Sequence, residues 1–174
     1  MMDNTNHVFV IAEAGSNWKC GSYEDDLERS KSMIRVAKDV GSDAIKFQTY
    51  KSETTYAKNA GTSDYLKDFG IEQEINELFT YLSMPYEMIS QLANYCEEIG
   101  ISFMSSPFSV KDAQEIDPYV KIHKIASFEI NHIRLLEFLA HTKKPILLST
   151  GASTYDEIAF AIDLLKKNGA TDIT

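Results

Sequence analysis

The sequence predicts an α/β fold in which parallel strands are covered by helices, and three observations carry that expectation. Short apolar runs alternate with longer helical patterns, the order that builds right-handed βαβ units around a parallel sheet. The runs HVFVIA and ILLST are nearly continuous in apolar residues, as strands covered on both faces are. Polar residues gather where each strand ends, which is where parallel α/β sheets and barrels bind ligands.

The elements follow in order. A first strand is expected over 7–12, ending in Glu13, with Gly15 of EAGSN suited to the tight turn that leaves it. Asn17 then either reaches the site or serves the turn alone. A helix over 23–39 carries the charged face YEDDLERSK and stops at Gly41, a residue fit for a left-handed cap. In the second strand, 43–48, Lys46 and Gln48 share one face and Ile45 and Phe47 the other. The stretch 50–85 is long for a connection and is expected to hold a short helix near 71–81, as a functional lid or as a packing excursion. Next come a helix over 86–99 closed by Gly100, a strand over 101–105 ending in Ser105 and Ser106, and a helix over 110–116. The fourth strand, 120–126, carries Lys124 and delivers Ser127; a helix over 133–141 follows. The fifth strand, 145–149, ends in Ser149 and Thr150. Ser153 or Thr154, with Asp156 and Glu157 behind it, starts a helix over 154–167. Gly169 closes that helix, and a sixth strand begins at Thr171.

The 174 residues are 44% hydrophobic and 25% charged, a composition that buries one globular core. A net charge of −9 without a basic run argues against nonspecific nucleic-acid binding and against an anionic membrane surface. A small anion held by a local cluster of cations stays compatible with it. Cys20 and Cys96 match no metal or redox spacing and read as reduced thiols. The N-terminus shows no signal-peptide pattern, and no apolar stretch approaches the ~20 residues of a membrane span. The expectation is a soluble cytoplasmic protein with no membrane partner.

Lys124 interrupts the apolar run of its strand, and full burial lowers a lysine pKa by roughly 3–5 units. Lys46 and Lys124, placed in neighbouring strands, repel each other unless an anion lies between them. A phosphate or carboxylate would satisfy both, with hydroxyls from Ser106, Ser127 and Ser149. Alternatively, each lysine pairs with a glutamate such as Glu13 or Glu129. Those two carboxylates could instead serve as general acid or base toward a sugar hydroxyl or aldehyde. The four histidines form no metal spacing: His7 precedes a strand, and His141 ends a helix where its charge suits the dipole. His132 follows the candidate N-cap Asn131 and is expected exposed, whereas His123, opposite in parity to Lys124, is expected to face a helix. Trp18 and the methionines read as packing.

The motifs IAEAG (11–15), GSDAIKFQTYK (41–51), FMSSPF (103–108), KIASFE (124–129) and KPILLSTGAS (144–153) occur in this order. Together they resemble the sialic acid synthase family, the N-acetylneuraminate synthases with their pseudaminic and legionaminic relatives. The resemblance implies a (β/α)8 TIM barrel that condenses phosphoenolpyruvate with an N-acetylated amino-sugar aldehyde such as N-acetylmannosamine, releasing phosphate. It makes Lys46, Ser106, Lys124, Ser127 and Ser149 phosphoenolpyruvate ligands, and places Glu13, Gln48 and Glu129 toward the sugar and the reacting centre. It also implies a divalent metal, Mn or Mg, whose ligands lie beyond this chain, and a homodimer in which a C-terminal antifreeze-like domain reaches the partner's active site.

On this resemblance residues 1–174 are the N-terminal portion of a synthase domain: an incomplete TIM barrel of five βα units and the start of strand six. Such a set does not close an eight-stranded barrel, and the open edge favours association. Little or no turnover is expected from these residues alone. Two positions depart from the family pattern. Asn17-Trp18-Lys19-Cys20-Gly21 stands where Asn-His-Asn-Gly is common, and Phe128 replaces the glycine usual in N-acetylneuraminate synthases, which is closer to the pseudaminic branch. Two rival readings are a Schiff-base aldolase using Lys46 or Lys124, and a non-catalytic half-barrel that binds or assembles only.

Overall fold

A computed structural model describes residues 7–62, 67–68, 70 and 72–174. Its strands are β1 (Ile11–Gly15), β2 (Ala44–Thr49), β3 (Ser102–Pro107), β4 (His123–Ile125) and β5 (Ile146–Leu148). Its helices are α1 (Tyr23–Asp39), α2 (Ser52–Thr55), α3 (Ile75–Tyr81), α4 (Tyr86–Ile99), α5 (Val110–Ile116), α6 (Ile133–His141) and α7 (Tyr155–Lys167). All strand pairs are parallel, in two ladders: β1-β2-β3 and β4-β5. β4 lies beside β3, yet no backbone hydrogen bond joins the two among the described residues. The expected sixth strand begins as predicted: Ile173 bridges Ile146, and the Thr174 N–H donates to the Ile146 carbonyl at 2.9 Å. This is part of a TIM barrel, wrapped on its outer face by helices.

Strand parity does what the sequence asked of it. Ile45, Phe47 and Phe103 face outward and pack with Ile34 of α1 and with Met88, Leu92 and Cys96 of α4. The rings of Phe47 and Phe103 stack at 6.0 Å. A second cluster joins Ile125 and Ile146 to Leu135, Leu136 and Leu139 of α6 and to Ala161 and Leu165 of α7. Each such aliphatic side chain, fully buried, contributes about 1.5–3 kcal/mol. The opposite face of β2 and β3 is thereby left to Lys46, Gln48 and Ser106.

The helix ends follow from their residues. Ser22 and Asp25 form a capping box at α1, Thr154 and Glu157 another at α7. Gly100 ends α4 with φ 76° and sends its N–H back to Cys96 and Glu97, a conformation that would strain a side-chain-bearing residue. Among the described residues no helix is long and apolar enough to cross a membrane.

The first and fourth strands differ from expectation. β1 starts at Ile11 rather than at 7, and Val8, Phe9 and Val10 are exposed. The Ala44 N–H of β2 donates to the Val10 carbonyl at 3.2 Å, and the preceding Asp43 carboxylate accepts from Val10 N–H at 2.6 Å and from the His7 ring at 2.8 Å. β4 spans His123–Ile125 instead of 120–126, and a 3-10 turn over Asp117–Tyr119 precedes it. The carboxylate of Asp117 binds His123 at 3.0 Å and Lys144 at 2.8 Å. The helix expected near 71–81 is present from Ile75; residue 71 lies outside the described residues. The excursion that contains it is pinned by aromatic contacts: Tyr50 to Phe79 (5.3 Å) and Phe108 (5.6 Å), and Tyr56 to Phe79 (4.5 Å).

Candidate functional site

The C-terminal ends of the strands bring most of the expected residues to one place. Glu13 of β1 lies opposite Lys46 of β2 in register, and its carboxylate meets the ammonium at 2.7 Å. Lys46 is buried, 7% exposed, whereas Glu13 is 62% exposed. The pair therefore points from the interior toward the open top of the barrel. Lys46 also donates to Ser106 Oγ at 3.4 Å. A register shift after Glu13 and the positive φ of Gly15, 56°, turn the chain sharply away beyond this contact.

Lys124 lies on β4, with β3 between it and Lys46, so the two lysines are not on neighbouring strands as the sequence suggested. They nevertheless sense each other. Burial first, and the Lys46 charge second, pull the Lys124 ammonium down to about 8, with Glu13 opposing. Its hydrogen-bond partners are two neutral oxygens, the Ile125 carbonyl and Ser149 Oγ, each at 2.6 Å. Of the alternatives left open by the sequence, glutamate pairing holds for Lys46 and fails for Lys124.

Gln48 lies opposite Ser106 in the β2–β3 ladder. Its amide oxygen accepts from Ser16 Oγ at 3.3 Å, and Ser16 in turn bonds the Tyr50 hydroxyl at 2.8 Å. This chain fixes the amide with its NH2 free to donate elsewhere. Ser16 and Tyr50 were not foreseen as site residues, although Tyr50 shares parity with Gln48. Ser105 belongs elsewhere: its hydroxyl bonds Thr49 at 2.8 Å, a buried pair on the face opposite Ser106.

Two expected residues make no bond to either lysine among the described residues. Ser127 opens the 3-10 turn after β4, and its contact here is through its carbonyl, which accepts from Ser153 Oγ at 3.5 Å. Glu129, in the same turn, bonds the ring of His132 at 2.7 Å rather than a lysine. His132 is thus half-buried and engaged, not the exposed residue expected from its place after Asn131. Tyr56, carried in by the excursion, lies near enough that burial and then the Glu129 charge raise its phenol. Phe128 projects into solvent, 80% exposed. His123 faces the helices as expected, and its burial lowers its pKa.

Chemically the cluster carries two ammonium groups against one carboxylate, flanked by hydroxyls, an arrangement that binds a small anion. Among the described residues no group of three or more His, Cys, Asp or Glu side chains is placed to hold a metal ion.

The NeuB family matches residues 33–174. The chain belongs to that family. Its relatives include an N,N'-diacetyllegionaminic acid synthase from Legionella pneumophila, 36% identical over 91% of this chain and 44% of the relative. A pseudaminic acid synthase from Campylobacter jejuni is 32% identical over 95% of this chain and 48% of its own length. Among solved structures, an N-acetylneuraminic acid synthetase from Leptospira borgpetersenii, in complex with citrate, superposes with a TM-score of 0.79 at 30% identity. That match covers 98% of this chain and 55% of the other. The chain spans about half the length of the curated relatives it matches. NeuB membership and the partial barrel agree with the resemblance read from the motifs.

Proposed function

We propose that the protein carrying this chain is a nonulosonic acid synthase that condenses phosphoenolpyruvate with an N-acetylated amino-sugar aldehyde and releases phosphate. Residues 1–174 supply the phosphoenolpyruvate half of its site as the N-terminal portion of the barrel domain. The observation that carries this reading is Lys124: a half-buried ammonium, beside a second ammonium, bonded among the described residues only to neutral oxygens. An arriving anion relieves both the desolvation and the repulsion.

In this reading Lys46 and Lys124 hold the phosphate and carboxylate of phosphoenolpyruvate, with the hydroxyls of Ser106, Ser127 and Ser149. The enol carbon forms a bond to the aldehyde carbon, and the aldehyde oxygen gains a proton. Water supplies the oxygen that remains when phosphate departs. Glu13, Gln48 and Glu129 orient the sugar and move protons, as fixed donors and acceptors at a site that excludes water do. The divalent metal implied by family resemblance would be held by residues outside this chain. A homodimer in the cytoplasm, where both substrates are soluble, completes the proposal.

The test is calorimetric titration of phosphoenolpyruvate into the wild type and into the Lys46→Ala, Lys124→Ala double variant. Binding to the wild type that vanishes in the double variant supports the assignment; binding that survives in it overturns it. The lowered Lys124 pKa of about 8 also favours a second reading, since a partly deprotonated amine is a nucleophile. Borohydride reduction in the presence of pyruvate, followed by mass spectrometry, decides that case. A reduced adduct on Lys124 supports the Schiff-base aldolase, and an unmodified lysine excludes it.

A further inference from the structure

His132 stands at the N-cap of α6, yet its side chain makes no capping bond. Asparagine caps helices well, and Asn131 stands directly beside it, so the histidine serves something other than the helix. Its Nδ1 lies 2.7 Å from Glu129 Oε2, and its backbone N–H donates to the Glu129 carbonyl at 3.0 Å. The two residues are fastened twice across the single turn that leaves β4. The Glu129 carboxylate is 14% exposed and the His132 side chain 34%, a sheltered contact that remains within reach of a ligand. A carboxylate only accepts, so Nδ1 is the donor and carries the proton. Glu129 Oε1 has no hydrogen-bond partner among the described residues. Tyr56, whose ring packs tilted against Phe79, lies close enough to feel the Glu129 charge.

We propose that His132 is a positioning residue, whose Nδ1–H fixes the Glu129 carboxylate so that Oε1 is presented to the amino-sugar aldehyde as a directed hydrogen-bond acceptor. This rests on the reading above, in which Glu129 serves the sugar. With one oxygen taken by the imidazole, the carboxylate loses its freedom to rotate. A hydroxyl or the hydrated aldehyde of the substrate then meets an acceptor of set direction. Such preorganisation lowers the barrier without adding binding affinity for the other substrate.

Two measurements test it. Nitrogen-15 NMR of this chain reads the tautomer of each histidine ring. The expected result is the Nδ1–H form for neutral His132 in the wild type, reverting to the commoner Nε2–H form in Glu129→Ala. The dispersed signals of His7, His123 and His141 report that the variant is folded. An Nε2–H form in the wild type overturns the proposal. The second measurement is phosphate release from phosphoenolpyruvate and N-acetylmannosamine by the complete enzyme. His132→Ala is expected to lower kcat about 10- to 100-fold, the worth of one hydrogen bond to a charged group, with KM for phosphoenolpyruvate unchanged. His132→Asn, which keeps a donor, is expected to regain most of that loss. Equal losses in both variants, or a change confined to the phosphoenolpyruvate KM, overturn it. If the wild type releases no phosphate at all, the reading of the reaction falls, and the tautomer decides separately whether His132 fixes Glu129.

Discussion

The ends of β2 and β4 present the same residue in two different electrostatic settings. Lys46 is the more deeply buried of the two lysines, but its counterion is built into the chain, Glu13 at 2.7 Å. Lys124 is less buried and has only the Ile125 carbonyl and Ser149 hydroxyl as hydrogen-bond partners. The two lysines therefore differ in partner as well as in depth. A lysine with its own carboxylate is satisfied in the free protein. One bonded only to neutral oxygens has an interaction still to gain, which the proposed function assigns to an anionic ligand.

The sharpest way to break this contrast is to remove the ammonium that lacks a carboxylate. Lys124→Met is expected to weaken phosphoenolpyruvate binding about 10- to 100-fold, since a hydrogen bond to a charged group is worth about 1.5–3 kcal/mol. Calorimetry at neutral pH checks it, and an unchanged affinity would assign the anion to Lys46 alone.

The pH dependence is the next largest effect. Lys124 loses its proton near pH 8, well below the ordinary lysine value of 10.5. Affinity for the anion should be level below that pH and fall above it by up to roughly tenfold per unit. Lys124→Arg, charged throughout, should abolish the fall. Stability moves the other way. The folded state binds fewer protons than the unfolded state between about 8 and 10.5, so this lysine's contribution to stability rises with pH across that window. Urea titrations at pH 7.5 and 9.5, on the wild type and Lys124→Met, isolate that difference.

A smaller effect sharpens the other half of the comparison. Glu13→Gln removes the internal competitor for Lys46 and is expected to strengthen inorganic phosphate binding about two- to fivefold, the worth of an ion pair with one exposed partner. Weaker binding in this variant would show that Glu13 orients Lys46 for the anion instead of competing with it.

Much of this arrangement was legible in the sequence, for reasons of period. Strand parity separated Lys46 and Gln48 from Ile45 and Phe47, and the structure puts the latter two in the core. Gly100 and Thr154 marked helix ends because few residue types satisfy those positions. Partners were less legible than positions. Nothing in the spacing of Glu13, Glu129, Lys46 and Lys124 says which carboxylate meets which ammonium, because that depends on the register between strands. The run HVFV misled for a related reason: its apolar residues suggest a covered strand, but Val8, Phe9 and Val10 are exposed and held at the edge by Asp43. His132 was hidden because its place after the candidate cap Asn131 suggested an exposed side chain, whereas that side chain turns toward Glu129.

The break between the β1-β2-β3 and β4-β5 ladders has a mechanical meaning. Lys46 belongs to one ladder and Lys124 to the other, so an anion gripped by both would act as a stitch across a seam that the backbone leaves unsewn. Occupancy of the site would then be felt as stiffness: amide exchange along β3 and β4 would slow when phosphate is added, with the substrate serving as a cross-tie of the barrel wall.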